Sequence, residues 1–214
     1  MSIKLYSYWR SSAAYRVRIA LQLKGLEYEI IPVSLAPGVS EHREDAYRAR
    51  NPQMLVPYFE DGDVAIGQSM AMLEYLEEAY PNVRLLPAAQ PLRSQVRAFC
   101  NHIACDIHPL LNLRVLQFIK SEFDQDPLPR WYPHWIHEGL KALEALASDG
   151  PYVFGGDVSL ADALLIPQMY NALRFNVAVT SYPTLLAIYE HCIVLPAFAA
   201  ADPRKQADNP DQAS

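Results

Sequence analysis

The chain has 214 residues, room for one large domain or two small ones. Its 51% hydrophobic and 20% charged residues exclude a disordered, collagen-like or coiled-coil protein. A formal charge of −6 argues against non-specific nucleic-acid binding, and eight glycines against 17 prolines invert the usual ~7% and ~5%, making glycine-rich phosphate loops scarce. Residues 1–50 carry eight Lys/Arg against five Asp/Glu (+3) and the remainder ten against nineteen (−9), which favours a small anionic ligand near the N-terminal part.

Ile3 and Leu5 alternate with polar neighbours as in a short strand. The turn-like residues 8–12 then lead into a helix over 13–25. Ser11 or Ser12 offers it an N-cap oxygen, Val17, Ala20, Leu21 and Lys24 follow one face, and Gly25 suits the C′ position. Residues 28–33 read as a second strand and 41–49 as a short polar helix. Residues 51–59, a turn at 60–63 and a strand through Ile66 read as a hairpin. Gln68-Ser69 opens a helix carrying Met70, Leu73, Leu76 and Ala79, which Pro81 stops. The order β-α-β-α-β-β-α predicts a small α/β domain with a mixed, four-stranded sheet.

Pro81, Pro87 and Pro91 mark a linker, dividing the chain into domains at 1–82 and 88–214. Everything beyond reads as helical: a long pattern over 92–122 that Pro109 kinks, a helix over 131–147, and a turn at 155–162 leading into another. Ser159 and Asp162 resemble a capping box with a structural role. Pro183 starts a last helix, and the polar tail 202–214 is expected to be disordered.

Three places in the first domain suit anions. The turn Trp9-Arg10-Ser11-Ser12 sets a hydroxyl beside a guanidinium at a helix N-terminus, where N–H donors and positive potential stabilise anions or thiolates; simple capping explains the serines equally well. A cis bond at Val56-Pro57 would aim the Val56 backbone at an extended ligand. Gln68-Ser69 begins another helix and could hold a carboxylate, or be an ordinary N-cap. No metal site is expected, since His134 and His137 lack a third ligand nearby, and GxSxG, P-loop and GxGxxG motifs are absent. Cys100, Cys105 and Cys192 form no CxxC pair and read as reduced thiols. The start MSIKLYSYWR lacks a signal-peptide core and no stretch reaches the ~20 apolar residues of a bilayer span, so a cytoplasmic chain without membrane or nucleic-acid partners is expected.

Residues 6–21, YSYWRSSAAYRVRIAL, closely resemble the signature of zeta-class glutathione transferases, the maleylacetoacetate and maleylpyruvate isomerases. Asn51-Pro52, Val56-Pro57, Gln68-Ser69, the run 74–78, the runs 107–110 and 112–116, and 159–162 follow in family order. The resemblance implies a glutathione-transferase fold, with an α+β thioredoxin-like N-terminal domain followed by an all-α C-terminal domain. It also implies a homodimer with glutathione as cofactor. Ser11 is then the donor to the glutathione sulfur, with Ser12 and Ala13 beside it. Val56, Gln68 and Ser69 hold the tripeptide, and His42, His108 and Asn112 lie near its glycyl end or the domain cleft. Arg10, catalytic together with Ser11, and Arg174 would bind the carboxylates of a maleyl diketo acid. The implied reaction is thiolate addition to the cis double bond, rotation and elimination to the fumaryl isomer. The family motif has cysteine where this chain has Ala13, which keeps two alternatives open: a transferase acting on α-halo acids or similar electrophiles, and a non-catalytic glutathione-transferase-like interaction module.

Overall fold

A computed structural model describes residues 2–212. Contacts divide it into two units: residues up to Arg84 together with those from Val194 on, and Leu85–Ile193.

The first unit is built on a four-stranded sheet of order β2-β1-β3-β4, with β1 (Ile3–Ser7), β2 (Tyr28–Pro32), β3 (Tyr58–Asp61) and β4 (Val64–Gly67). β1 runs parallel to β2 and antiparallel to β3, which pairs antiparallel with β4. Successive strand residues point to opposite faces, so both faces of the central strand are buried by different partners. Leu5, opposite Phe59, is fully buried, while Tyr6, opposite Tyr58, joins a cluster with Val33 and Tyr47.

Helix α1 (Ser12–Leu23) ends in a Schellman motif. Leu26 N–H donates to Leu21 C=O, Gly25 N–H donates to Gln22 C=O, and Gly25 takes φ 65°, open to a residue without Cβ. Lys24, read from the sequence as a face residue, is buried. Its ammonium meets Glu77 Oε1 at 2.6 Å and donates to the carbonyls of Tyr80 and Val83, tying the end of α1 to the end of α3 (Ser69–Ala79). The polar helix expected at 41–49 is split into a 3₁₀ turn, Glu41–Arg43, and α2 (Asp45–Arg50), because Glu44 between them is extended.

In the second unit the pattern expected as one kinked helix is broken into pieces. α4 (Gln90–Asn101) passes into a π-helical segment, His102–Ile107, and a 3₁₀ turn, His108–Leu111; Asn112 is extended and α5 (Leu113–Glu122) follows. Pro109 cannot donate to the helical ladder and its ring collides with the preceding turn, so the chain widens before it and restarts after it. α6 (Leu128–Leu146) crosses this region at Gly139, where an added Cβ would lie 2.2 Å from Ile107 Cδ1. α7 (Leu160–Arg174) is buried along nearly its whole length. Its capping box is complete: Asp162 accepts from Ser159 N–H and Oγ–H and additionally from Val153 N–H. Glu144 accepts from Thr184 and Leu185 N–H and so caps α8 (Pro183–Ile193).

The last segment departs from expectation. α9 (Pro196–Ala201) packs on α1, and residues 202–212 are ordered in two 3₁₀ turns rather than disordered. Their polar side chains spend themselves on the segment's own backbone. Asp202 accepts from Arg204 N–H, Gln206 donates to Ala200 and Asp202 carbonyls, and Asn209 donates to Arg204 C=O, with Asp202, Gln206 and Asn209 all buried. A polar composition is compatible with order where the hydrogen bonds close internally. This segment therefore packs with the first unit, whereas the sequence reading carried the helical domain to residue 214.

Candidate active site

The sheet register gathers the candidate residues of the first unit at one end. β1 and β2 run toward that end, and Val33 N–H donates to Ser7 C=O as they leave it. β3 is antiparallel to β1 and β4 to β3, so Tyr58 at the start of β3 and Gly67 at the end of β4 lie level with Tyr6. The turn at 8–11, the loop to His42, the Val56-Pro57 approach and the Gln68-Ser69 exit therefore all open from the same sheet end, and α1 and α3 both begin there.

Ser11 N–H donates to Tyr8 C=O at 2.9 Å, closing a turn whose central residues are Trp9 and Arg10. Arg10 is exposed and its guanidinium sits 5.0 Å from the Trp9 ring centroid. Ser11, half-buried, is the N-cap of α1: its Oγ accepts from Ala14 N–H at 3.2 Å, and its carbonyl accepts from Tyr15 N–H. A hydroxyl has two lone pairs and one proton, so accepting the cap bond leaves the O–H able to donate to an anion. Capping and anion stabilisation are compatible in this residue. Ser12 is buried as the first helical residue and Ala13 is half-exposed beside it.

The Val56-Pro57 bond is cis, the minority isomer of X-Pro bonds, to which the family resemblance and not the local sequence pointed. The loop before it is shaped by Asn51, whose amide donates to Leu55 C=O at 2.7 Å and whose Oδ1 accepts from Gln53 N–H, while Tyr47 Oη–H donates to the same Leu55 carbonyl. Val56 packs against the Tyr6, Val33, Tyr47 and Tyr58 cluster.

Gln68 is not an ordinary N-cap. Its φ of 68° is in the left-handed region, its side chain makes no cap hydrogen bond, and Nε2 instead donates to Gln53 Oε1 at 2.7 Å. A non-glycine residue held there costs on the order of 1–3 kcal/mol, and such strain concentrates where a ligand must meet backbone N–H groups. The first N–H groups of α3 thus have no side-chain cap, and the Ser69 hydroxyl is held from behind by the buried Arg16, whose Nη1 donates to it at 3.3 Å.

His42 is buried in its 3₁₀ turn with Nδ1 lacking a hydrogen-bond partner among the described residues. Burial pushes its pKa below the ordinary histidine value, opposed by a backbone hydrogen bond at Ser34 and helped by the neighbouring Arg43 charge, so the ring is neutral near pH 7.

The remaining candidates lie in the second unit. His108 starts the 3₁₀ turn after the π segment, and Asn112 is the N-cap of α5, its Oδ1 accepting from Arg114 N–H at 3.1 Å. Arg174, exposed at the last position of α7, has its guanidinium 4.1 Å from the Phe175 ring centroid and donates from Nη2 to Asn171 Oδ1 at 3.5 Å. The buried Tyr132 hydroxyl also bonds Arg174. Burial raises its pKa above the ordinary tyrosine value, and the guanidinium opposes that rise.

Sequence reasoning missed Arg16, Gln53 and the architectural work of Asn51. It also missed Arg18, fully buried and pushed down to about 10 by desolvation, which bonds Ser7 Oγ and the carbonyls of Trp9 and Ala201. Two arginines among the apolar residues of the first helix were the available signal. Among the described residues, no group of three or more His, Cys, Asp or Glu could hold a metal ion, and no helix is long and apolar enough to cross a membrane.

The glutathione S-transferase N-terminal domain matches residues 5–84. A probable maleylacetoacetate isomerase of Vibrio cholerae serotype O1 is 45% identical over 212 residues, 97% of this chain and 99% of that protein. The holo structure of a bacterial zeta-class maleyl pyruvate isomerase superposes with a TM-score of 0.92 at 44% identity, covering 96% of this chain and 99% of the other. A maleylacetoacetate isomerase from Anaeromyxobacter dehalogenans, with glutathione bound in its active site, gives 0.88 at 41% identity over 98% of each chain. With that similarity running the length of both chains, this protein belongs to the zeta-class glutathione transferase family, that of the maleylacetoacetate and maleylpyruvate isomerases.

Proposed function

We propose that this chain is a glutathione-dependent cis–trans isomerase that converts a maleyl diketo acid, maleylacetoacetate or maleylpyruvate, to its fumaryl isomer. The observation that carries the reading is the turn at 8–11: an exposed guanidinium beside a serine that caps α1 and still has a proton to donate. The substrate class comes from the relatives.

The residues present suit glutathione. Strained Gln68 and the uncapped first turn of α3 offer backbone donors to the γ-glutamyl carboxylate, Val56 meets the extended peptide, and the neutral His42 has a buried ring nitrogen without a partner among the described residues. Bound glutathione supplies a thiolate that adds to the cis carbon–carbon double bond, displacing an electron pair onto the conjugated carbonyl oxygen, and is expelled after rotation when that pair returns. Ser11 donates to the sulfur and, with the positive end of α1, favours the thiolate at neutral pH; Ser12 and Ala13 complete that first turn. Arg10 offers its guanidinium to the oxygen on which charge develops, and Arg174 takes a substrate carboxylate. His108 and Asn112 serve the glycyl end of glutathione. The same resemblance supports a cytoplasmic homodimer acting in the breakdown of aromatic acids.

Mixing the purified protein with maleylacetoacetate or maleylpyruvate, with and without glutathione, tests the reading. Glutathione-dependent appearance of the fumaryl isomer is expected, and its absence with both substrates overturns it. Ala13, where the family has cysteine, favours one second reading, a transferase conjugating glutathione to α-halo acids; stable conjugate without isomerisation would select it.

A further inference from the structure

We propose that Asp208 is a positioning residue for the turn that carries Arg10 and Ser11, and that the C-terminal segment is folded back onto the first unit in order to deliver it. The inference rests on the reading of Ser11 as the donor to the thiolate. Trp9 is held on both sides: its N–H donates to Asp208 Oδ2 at 2.8 Å, and its carbonyl accepts from Arg18 Nη2 at 2.9 Å. Both bonds are charge-assisted, and they flank the residue two positions before Ser11. The Arg18 guanidinium extends the clamp, since its Nε donates to Ala201 C=O at the end of α9 and its Nη1 donates to Ser7 Oγ at the end of β1. One buried cation therefore joins the end of the central strand, the turn and the C-terminal segment, with the half-buried Asp208 beside it carrying the opposite charge.

Asp208 is itself presented by a built structure. The internal hydrogen bonds of Asp202, Gln206 and Asn209 leave the segment's own backbone little need of outside partners, while the Asp208 carboxylate reaches across nearly the whole sequence to Trp9. A turn has few bonds of its own: here Ser11 N–H donates to Tyr8 C=O, which closes the turn and holds the carbonyl end of the 8–9 peptide. The Asp208 bond holds the other end, at Trp9 N–H, and so fixes the plane of that peptide and, through it, the direction in which the Ser11 hydroxyl and the Arg10 side chain leave the turn. A displacement of the order of 1 Å at a reacting group is enough to cost up to ~100-fold in rate.

The test compares Asp208→Ala, which removes the acceptor, with Asp208→Asn, which keeps one at the same place, and with Ser11→Ala. Three quantities are read: the pH titration of bound glutathione thiolate by its ultraviolet absorbance, kcat for isomerisation, and the Kd of S-methylglutathione, which has no thiol to ionise. Asp208→Ala is expected to move the thiolate titration to higher pH and lower kcat about tenfold. Its S-methylglutathione affinity should stay within about twofold, and Asp208→Asn should recover most of the loss. A merely structural role would lower Tm without moving the titration. If Asp208→Ala titrates like the wild type while Ser11→Ala shifts, the proposal is overturned and the reading of Ser11 stands. If Ser11→Ala does not shift either, the reading of Ser11 falls and the proposal with it. Should Asp208→Ala fail to fold, Asp208→Glu, which displaces the carboxylate by one methylene, is titrated instead; a shift supports the proposal and a wild-type curve overturns it.

Discussion

Arg16 on α1 donates from Nη1 to Ser69 Oγ at the start of α3 across 3.3 Å, with both side chains buried. The two helices that begin at the same sheet end are thus joined directly behind the uncapped N–H groups of α3. Replacing Ser69 by Ala removes an acceptor from a buried cation and a donor from the proposed γ-glutamyl site. Both states of the reaction use that site equally, so KM for glutathione should rise about tenfold with kcat little changed, and stability should fall by ~1–3 kcal/mol. Steady-state kinetics and urea unfolding of Ser69→Ala check this.

Ser11 caps α1 and, in the proposed reaction, donates to the glutathione sulfur, and its variants separate the two roles. Ser11→Ala loses the N-cap, costing ~1 kcal/mol of stability, and loses the donor to sulfur, costing on the order of 10²-fold in kcat. Ser11→Gly loses the same hydroxyl but only a few tenths of a kcal/mol of cap stability. If its kcat falls as far as that of Ser11→Ala, the loss belongs to the hydroxyl acting on the sulfur; a near wild-type rate in Ser11→Gly would limit Ser11 to capping.

Ala13 is half-exposed in the first turn of α1, so a larger side chain fits there without repacking the core. Ala13→Cys should keep Tm within a few degrees and raise isomerase turnover relative to conjugation of an α-halo acid. Measuring both rates on both proteins decides whether the missing cysteine tunes the balance between the two activities.

The guanidinium of Arg174 is preorganised by the Phe175 ring, Asn171 Oδ1 and the Tyr132 hydroxyl. Arg174→Ala should raise KM for the dicarboxylic substrate at least tenfold without changing glutathione affinity, and Arg174→Lys should recover only part of it, because an ammonium lacks the planar fork. Substrate saturation curves at fixed glutathione test this.

Asp162 is fully buried in its capping box and pushed up to about 6 by desolvation, against the pull of its hydrogen-bond donors. A carboxyl whose folded pKa exceeds its unfolded value stabilises most below the unfolded pKa, and that contribution is lost as pH rises to the folded one. The stability advantage of the wild type over Asp162→Asn should therefore shrink from about pH 4 to about pH 6 and then level off. It should remain positive throughout, because the variant leaves Ser159 N–H facing an amide donor. Urea unfolding of both proteins across that range measures the difference.

The alternating Ile3 and Leu5, the serines before an apolar helix, Gly25 beyond its end and the spacing of Ser159 and Asp162 are local signals. The structure bears them out as β1, the N-cap, the Schellman motif and the capping box, because each depends on bonds between residues a few positions apart. The residues that hold the site in place were illegible for the opposite reason. Nothing in the sequence assigns Arg16 a partner until Ser69 of α3 lies against it, and the polar tail 202–214 reads as disordered, although its described part, to residue 212, is ordered where Ala201 and Asp208 bond Arg18 and Trp9. The long pattern over 92–122 breaks into α, π and 3₁₀ pieces around Pro109, where α6 packs so closely at Gly139 that a Cβ there would displace the Ile107 side chain. Charges become buried and helices change pitch where the partner comes from far along the chain, and that pairing is a property of the folded state.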